Sequence, residues 1–214
     1  MSMANTVVIL DFETTGLSPD MGDRAIEIGA VLIENGRIMA RFQELMNPGR
    51  RIDCFIENYT GITNAMLRNA PPCNEVMRRF SDFIDGHNLV AHNASFDKRF
   101  LDAELKLSSS RYSGSFACSM LAARRIYPDA QNHKLGTLIK HAKIPSDGTF
   151  HRALYDSEMT SKLWLAMLAN ISEQYNIQRI PFSLMQKLAD TPKRSVHNLL
   201  ARWQHLSDAR QAHQ

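Results

Sequence analysis

Apolar and polar positions along this chain follow two periods, and those periods predict its strands and helices. Short runs rich in β-branched and apolar residues predict five strands, at residues 7–10, 25–33, 38–46, 88–92 and 116–118. Apolar residues at helical spacing and local capping signals predict helices at residues 64–68, 74–84, 96–105, 120–126, 135–141 and 156–169. Two short amphipathic helices are expected within residues 180–189 and 195–203.

Turn and capping residues between these segments set further local expectations. Asn35-Gly36 is the dipeptide that most strongly marks a hairpin turn. The first three strands are therefore expected to be neighbours, with the second and third antiparallel. Thr63 and Ser95 each precede a predicted helix, and we expect both to be N-caps.

The composition is that of an ordinary folded chain, with 44% hydrophobic and 22% charged residues among 214. No apolar run approaches a membrane span and no signal-peptide pattern is present, so we expect a cytoplasmic protein that does not contact membranes. Cys54, Cys73 and Cys118 lie far apart and form no Cys-x-x-Cys pattern, which argues against a disulfide framework and a zinc site.

The net charge of +3 lies in the C-terminal segment of the chain. Residues 173–214 carry six Lys and Arg against three acids, and the preceding residues sum to zero. A mildly basic segment of this kind is usually a solvated helical surface, and contact with phosphate groups is the secondary hypothesis.

The first predicted strand leads into the sequence Asp11-Phe-Glu-Thr-Thr-Gly16. Side chains alternate between the two faces of a strand, so Asp11 and Glu13 project to the same side. Two carboxylates this close repel each other, and each is costly to desolvate unless a cation lies between them. Oxygen ligands suit Mg²⁺ or Mn²⁺. An isolated Asp-x-Glu is more often a solvated pair at a strand end, so the metal hypothesis depends on further acids.

Two later segments supply such residues. Asp97 lies in the first turn of the helix after the fourth strand, where the helix dipole alone favours a carboxylate. Asp156 heads a stripe of mostly apolar, core-facing positions that continues to Met167, where a carboxylate is costly unless it is paired or metal-bound. His151 can share a site with Asp156 only if it belongs to the preceding loop or to a bent first turn.

These five residues meet in one crevice if the sheet is of the α/β type, because strand C-termini and helix N-termini then face the same side. Four carboxylates and a histidine in one crevice suit a two-metal site that hydrolyses a phosphodiester bond.

Three motifs in this order resemble those of the DEDDh exonuclease superfamily: Asp-Phe-Glu-Thr-Thr-Gly from Asp11, His-Asn-Ala-Ser-Phe-Asp from His92 and His-Arg-Ala-Leu-Tyr-Asp from His151. These DnaQ-like 3′–5′ exonucleases include the proofreading exonuclease of bacterial DNA polymerase III and related stand-alone enzymes. The resemblance covers about residues 5–170. It implies an α/β, ribonuclease-H-like fold, with a central mixed five-stranded sheet and helices on both faces. We expect an exonuclease domain at residues 1–172 and a helical C-terminal appendage at residues 173–214.

The resemblance also implies residue roles. Asp11, Glu13 and Asp156 resemble direct ligands of two Mg²⁺ or Mn²⁺ ions, and Asp97 resembles the fourth acid, which holds the second ion directly or through water. His151 resembles the general base that takes a proton from the attacking water, a task that suits a pKa near neutrality. Substrate contacts are implied for Thr14, Gly16, Leu17, Asn93 and Phe96. Leu17 and Phe96 are equally consistent with ordinary core positions.

The leading hypothesis is a metal-dependent enzyme that removes nucleoside monophosphates from DNA 3′ ends, either single-stranded or frayed and mismatched. Two alternatives stay open: a 3′–5′ exoribonuclease that trims RNA ends, and a non-catalytic, polymerase-associated binding module. No Gly/Ser/Gln-rich linker precedes the two C-terminal helices, which favours a stand-alone exonuclease over a polymerase subunit. Polymerase association and a homodimer are left open.

Overall fold

The computed structural model describes residues 2–147 and 151–211, with side chains described as far as residue 205. Met1, residues 148–150 and residues 212–214 lie outside this description, and with them the outer ends of the two predicted ranges, 1–172 and 173–214.

A mixed five-stranded sheet forms the centre of the molecule, with strand order β3-β2-β1-β4-β5. Its strands are β1 (Val7–Thr14), β2 (Ala25–Glu34), β3 (Arg37–Leu45), β4 (Leu89–Ala91) and β5 (Phe116–Cys118). The central strand β1 is antiparallel to β2 and parallel to β4, and β2 is antiparallel to β3. Asn35 and Gly36 both have positive φ, 50° and 79°, as a type I′ hairpin turn requires. The predicted sheet and hairpin are confirmed.

Nine α-helices connect or flank the strands within the described residues. They are α1 (Cys54–Thr60), α2 (Asn64–Arg68), α3 (Cys73–Ile84), α4 (Ala94–Leu107), α5 (Ser119–Ile126), α6 (Leu135–His141), α7 (Ala153–Tyr175), α8 (Phe182–Asp190) and α9 (Val196–Gln211). Short 3₁₀ turns lie at Pro19–Met21 and Lys193–Ser195. No helix in the described part of the chain is both long enough and apolar enough to cross a membrane.

Three local predictions need correction or extension. Ser95 is not an N-cap: α4 begins one residue earlier, at Ala94, and Asn93 occupies the cap with φ 75°. β1 continues past Leu10 to Thr14 because β2 pairs with it along that length, so its acids lie inside the strand rather than beyond it. The helix that carries Asp156 is also longer than predicted at both ends. Thr63, by contrast, is confirmed as a cap, since its side chain accepts a hydrogen bond from the Met66 amide.

Alternate residues of β1 belong to two separate hydrophobic clusters, one on each face of the sheet. Val7 and Ile9 pack with Trp164 of α7 and with side chains of α5, α6, α8 and α9. Val8 and Leu10 pack on the other face with side chains of α3 and α4. Helices therefore cover both faces, as predicted, and β1 is buried from both sides.

The C-terminal helices share the first of these clusters and contact the N-terminal residues directly. The Ala4 amide donates to the Ile180 carbonyl at 2.9 Å, and the Phe182 amide donates to the Ser2 carbonyl at 3.0 Å. The Trp164 indole N–H donates to the Ala4 carbonyl at 2.7 Å. These bonds hold residues 2–4 between α7 and the segment that enters α8.

Candidate active site

Three carboxylates from β1 and α7 converge on one side of the sheet. Ligand oxygens of Asp11, Glu13 and Asp156 all lie within 4.8 Å of one another. Asp11 and Glu13 are two positions apart on a regular strand, so they share the same face. Asp156 lies in the first turn of α7. The acids of the first and third motifs therefore lie close together, as the sequence predicts.

Asp97 reaches the same strand from α4 and binds its backbone. The ladder between β1 and β4 ends at the pair Ile9–Val90, before it reaches Phe12. The buried Asp97 carboxylate accepts a hydrogen bond from the Phe12 amide at 3.2 Å. Phe12 lies between the two β1 acids, so this bond places Asp97 beside the cluster and satisfies a buried donor.

His151 lies outside the helix, in the connection before α7, with φ 73°. Its backbone amide donates to Asp156 Oδ2 at 3.0 Å, which folds this connection back over the start of α7. The imidazole is not one of the groups in the ligand cluster defined above for the described residues. It packs instead on Tyr59, with ring centroids 4.1 Å apart and an interplanar angle of 39°. The backbone of the histidine is thus bonded to Asp156, while its ring lies on Tyr59.

A close approach between α7 and β2 sets the position of Asp156. Gly29 of β2 is the register partner of Asp11, and a side chain there would overlap the backbone of Ala153 and Leu154. The Ser157 hydroxyl donates to the Gly29 carbonyl at 2.9 Å. The absence of a side chain at Gly29 therefore allows the first turn of α7 to lie against the sheet.

A buried ion pair fixes the same junction. Glu27 is fully buried and lies opposite Glu13 in the β1–β2 ladder. Arg152 binds it with two nitrogens, at 2.8 and 3.1 Å, and the Ala153 amide donates to it at 3.1 Å. Glu27 is thereby compensated, and the residue next to His151 is tied to β2.

The remaining carboxylates have raised pKa values, chiefly because they are buried. Burial raises the pKa of Glu13 to about 8, with Asp156 and Glu27 adding repulsion and Arg152 opposing it. Burial raises the pKa of Asp97 to about 7, against the hydrogen bond from Phe12.

Asp11 and Asp156 follow the same pattern. Burial, followed by repulsion from Asp97, Asp156, Glu13 and Glu27, raises the pKa of Asp11 well above its usual value. The pKa of Asp156 rises to about 6, again chiefly through burial. Burial acts on His151 as well and lowers its pKa.

The donor set fits divalent cations. Asp156 Oδ1 is buried and accepts no hydrogen bond from any residue that the structure describes. A buried carboxylate oxygen without a donor is costly, and a cation relieves that cost together with the repulsion among the acids. Carboxylate oxygens alone suit Mg²⁺ or Mn²⁺ better than softer metals.

The predicted substrate contacts fall into two groups around these acids. Thr14 is buried and its hydroxyl donates to the Gly16 carbonyl at 2.6 Å, which shapes the turn after β1. Leu17 follows on that turn with 78% of its surface exposed, so it is not a core residue. Asn93 is exposed at the start of α4, whereas Phe96 is half-buried and contacts the Phe100 ring, with centroids 5.0 Å apart.

Sequence reasoning missed three residues around the site: Glu27, Arg152 and Tyr59. Glu27 carried a signal, since it is the one charged residue within the apolar run from Ala25 to Ile33. Arg152 offered no signal of its own, because its partner is 125 positions away. Tyr59 is half-exposed on α1, and its pKa is raised by burial and then by Glu13, Asp156 and Asp11.

Comparison with known proteins places this geometry among nucleases. Residues 8–164 match a sequence family described as exonuclease, RNase_T. The PolC-type DNA polymerase III of Bacillus subtilis (strain 168) is 40% identical over 171 residues, which are 79% of this chain and 12% of that protein. The 3′–5′ exonuclease DinG of the same organism is 33% identical over 196 residues, 90% of this chain and 20% of DinG. The chain thus spans a minor fraction of these relatives' length.

Solved structures show the same fold. Exonuclease X, solved in complex with 5′ overhanging duplex DNA, has a TM-score of 0.65 and 28% identity, covering 86% of this chain and 99% of that one. The nuclease domain of 3′hExo, a DEDDh family member bound to rAMP, has a TM-score of 0.67 at 22% identity, covering 78% and 92%. The expected ribonuclease-H-like architecture is therefore confirmed.

Proposed function

We propose that this chain, which belongs to the exonuclease family, is a metal-dependent 3′–5′ exonuclease that removes nucleotides from DNA 3′ ends. The observation that carries the proposal is the set of carboxylate oxygens within 4.8 Å, one of them buried without a hydrogen-bond donor. The carboxylates repel one another, and bound divalent cations would offset that repulsion and also bind a phosphate group.

The choice of DNA is supported by the relatives. The printed names of the PolC-type polymerase and of Exonuclease X with its duplex refer to DNA, and both are more than 25% identical to this chain. RNA as the substrate is the outcome that the experiment below would reveal.

Asp11, Glu13 and Asp156 would hold two Mg²⁺ or Mn²⁺ ions, with Asp97 as the fourth acid. When bound, the ions would lower the pKa of a water molecule and offset negative charge on the phosphate. His151 then accepts a proton from the attacking water on a ring nitrogen, since it lies beside the acids and outside their cluster. The water oxygen bonds to phosphorus, and the bond from phosphorus to O3′ of the preceding nucleotide breaks. That O3′ takes up a proton from solvent, and a nucleoside 5′-monophosphate leaves.

The turn after β1 and the start of α4 would contact the terminal nucleotide. The exposed Leu17 side chain offers an apolar surface to a base, next to Thr14 and Gly16. Asn93 and Phe96 would contact the 3′ end from the side of Asp97. These contacts position the substrate and leave the proton transfer to His151.

The test uses three substrates that carry a label at the 5′ end: single-stranded DNA, a duplex with a mismatched 3′ end, and RNA. A 3′–5′ exonuclease produces a ladder of shortened labelled strands, whereas a 5′–3′ enzyme releases the labelled nucleotide at once. We expect the ladder on DNA, dependent on Mg²⁺ or Mn²⁺ and absent in chelator.

Asp11→Asn should abolish the ladder, and Asp20→Asn, which neutralises an exposed acid on the 3₁₀ turn Pro19–Met21, should not. A ladder on RNA alone would replace the DNA assignment. An Asp11→Asn protein as active as the wild type would overturn the mechanism.

A further inference from the structure

A basic pocket of about 430 Å³ opens between the loop after β3 and helix α2. The residues that line it are Asn47, Gly49, Arg50, Arg51, Asn64, Leu67 and Arg68. Three of these seven described residues are arginines and none is an acid. For comparison, the whole chain has a net charge of +3. The pocket lining therefore carries three positive charges, of which Arg50 is paired with Asp23 outside the lining.

Hydrogen bonds hold the walls of the basic pocket in place. Asn64 bonds both the amide and the carbonyl of Ile52, each at 2.9 Å, which links α2 to the loop. The Asn64 side chain also donates to Glu57 at 2.8 Å, which connects it to α1. Below them, Leu67 is buried. The arginines thus extend from a backbone that is already ordered before any ligand binds.

The three arginines differ in how far their charge is used within the protein. Arg50 binds the Thr15 hydroxyl at 2.6 Å and Asp23 at 2.9 Å, so it is a structural link to the turn after β1. Among the residues whose side chains the structure describes, Arg51 and Arg68 form neither an ion pair nor a hydrogen bond. Arg51 contributes only weakly to the lowered pKa of Glu57, after the two hydrogen bonds from Asn64.

We propose that the basic pocket binds the phosphodiester backbone of the nucleic acid, outside the active site. This inference rests on the proposed exonuclease function, since it concerns the part of the substrate that the carboxylate site does not hold. Guanidinium groups present several donors in a planar fork that matches phosphate oxygens. Arg51 and Arg68 supply two such forks without giving up an internal partner.

The connection to the active site runs through Thr15. This residue binds Arg50 and directly follows Thr14, a predicted contact of the terminal nucleotide. In this proposal, a strand or duplex with its 3′ end at Asp11 and Glu13 passes the turn that Arg50 links to the pocket. Phosphates lie at regular intervals along that path, and contact with them is independent of sequence.

The first test compares a short and a long substrate in the wild type and in Arg51→Gln/Arg68→Gln. The dinucleotide TpT has a single phosphate, the scissile one, so the double variant should hydrolyse it with unchanged kcat and KM. On a 20-nucleotide DNA strand, the double variant should show a KM raised several-fold and an unchanged kcat. Equal kinetics on the long substrate would overturn the proposal, as would an equal loss on TpT.

The second test measures binding of the labelled 20-nucleotide strand in EDTA, without catalysis, at several salt concentrations. Each lost phosphate contact lowers the slope of log K against log salt by about 0.7 for a single strand and about 0.9 for a duplex. The double variant should therefore lose about 1.4 or about 1.8 of slope. The same measurement is made on a duplex with a recessed 3′ end. A loss of slope on the single strand and on the duplex would assign the phosphates to the cleaved strand. A loss of slope on the duplex alone would assign them to the complementary strand.

The control is Arg37→Gln/Arg78→Gln, which removes the same charge from exposed arginines at the start of β3 and on α3. Its salt slope should equal that of the wild type. An equal loss of slope in the control would show a general charge effect and overturn the pocket as a site. Because the EDTA measurement needs no activity, an inactive wild type would overturn the exonuclease proposal while still leaving the pocket tested.

Discussion

At the residue scale, four carboxylates share one site, and both metal binding and protonation there affect the stability of the protein. Glu13, Asp97 and Asp156 have pKa values raised to about 8, 7 and 6, from 4.5, 3.8 and 3.8. Between pH 4 and 8 the folded protein therefore holds protons that the unfolded chain has lost. Stability from these groups is present at low pH and is lost as pH rises through the folded pKa values.

We expect the melting temperature in chelator to fall as pH rises from 5 to 8, and Mg²⁺ or Mn²⁺ to restore it most strongly at pH 8. Asp11→Asn should raise the metal-free melting temperature at pH 8, because it removes one charge from the cluster, and Asp20→Asn should not. Thermal scans at the two pH values decide this. A metal-free protein equally stable at pH 5 and 8 would contradict the predicted repulsion.

The contact between Tyr59 and His151 leads to a second prediction at this scale. His151→Ala should lower kcat by about 10²–10⁴, the usual cost of losing a general base. Tyr59→Ala should lower it by about 2- to 12-fold, since an aromatic contact contributes about 0.5–1.5 kcal/mol. Tyr59→Ala should also move the acidic limb of the pH–rate profile to higher pH, because burial lowers the pKa of His151 and loss of the Tyr59 ring would expose the imidazole. Tyr59→Phe keeps the ring and is the control; a change as large as in Tyr59→Ala would show that the hydroxyl matters.

The five catalytic candidates could be predicted from the sequence: four are acids at strand and helix positions that otherwise face the core, and the fifth, His151, lies in the same motif as Asp156. Tyr59 could not, because an exposed aromatic residue on a short helix is unremarkable until His151 lies against it. Ser95 was placed as a cap on residue type alone, and the left-handed conformation of Asn93 took that position instead. Residue type predicts a cap only when the backbone arrives in an extended conformation.

At the scale of elements, the seating of α7 on β2 decides where Asp156 lies. Gly29→Ala should overlap the backbone of Ala153 and Leu154 and destabilise the protein by about 1–3 kcal/mol, as overpacked cores do. The melting temperature should fall by about 2–4 °C for each kcal/mol. Displacing α7 by about 1 Å should lower kcat on the order of 10²-fold.

Ser157→Ala is the matched control for Gly29→Ala. It removes the hydrogen bond to the Gly29 carbonyl, worth about 1 kcal/mol, and keeps the close fit. Its kcat should stay near the wild-type value. If Gly29→Ala retained wild-type activity, the close approach would not be what positions Asp156.

Helices with an apolar stripe were predictable, and α1 was not. Its seven residues include Phe55 and Tyr59, which are 67% and 50% exposed and stack on each other with centroids 5.8 Å apart. A helix whose aromatic residues face outward has no periodic core face to detect. The C-terminal extension of α7 could not be predicted for a related reason, since its last turn is mostly polar.

The whole molecule joins the two predicted ranges, 1–172 and 173–214, through one hydrophobic cluster. Each range contains one of the two tryptophans, Trp164 and Trp203. In Trp203→Phe and in Trp164→Phe, the remaining tryptophan and far-UV circular dichroism should report the same urea midpoint, because a shared core unfolds as a unit. A lower midpoint for Trp203 fluorescence than for dichroism would show that the C-terminal helices unfold separately.

Sequence patterns predicted the elements at this scale and not how distant ones meet. The bonds between residues 2–4 and 180–182 join positions nearly 180 residues apart, and nothing local in either segment indicates the other. The salt links Glu27–Arg152 and Arg24–Glu104 are of the same kind. The sequence pattern indicates which face of an element is buried, and only the assembled fold determines which other element packs against that face.

The central position of β1 has a consequence for synthesis on the ribosome. Helix α7 covers the face of β1 that carries Val7 and Ile9, and β4 pairs with the edge of β1 opposite β2. About 140 residues separate Thr14 from Ala153, where α7 begins. At about 5–20 residues per second, the nascent strand waits roughly 7–28 s for that helix. The edge of the apolar segment from Val7 to Leu10 stays unpaired until β4 is made, and its face stays open until α7 is made; both are conditions under which strands mispair. The strand that carries two of the acids is therefore open to mispairing until α7 has been made.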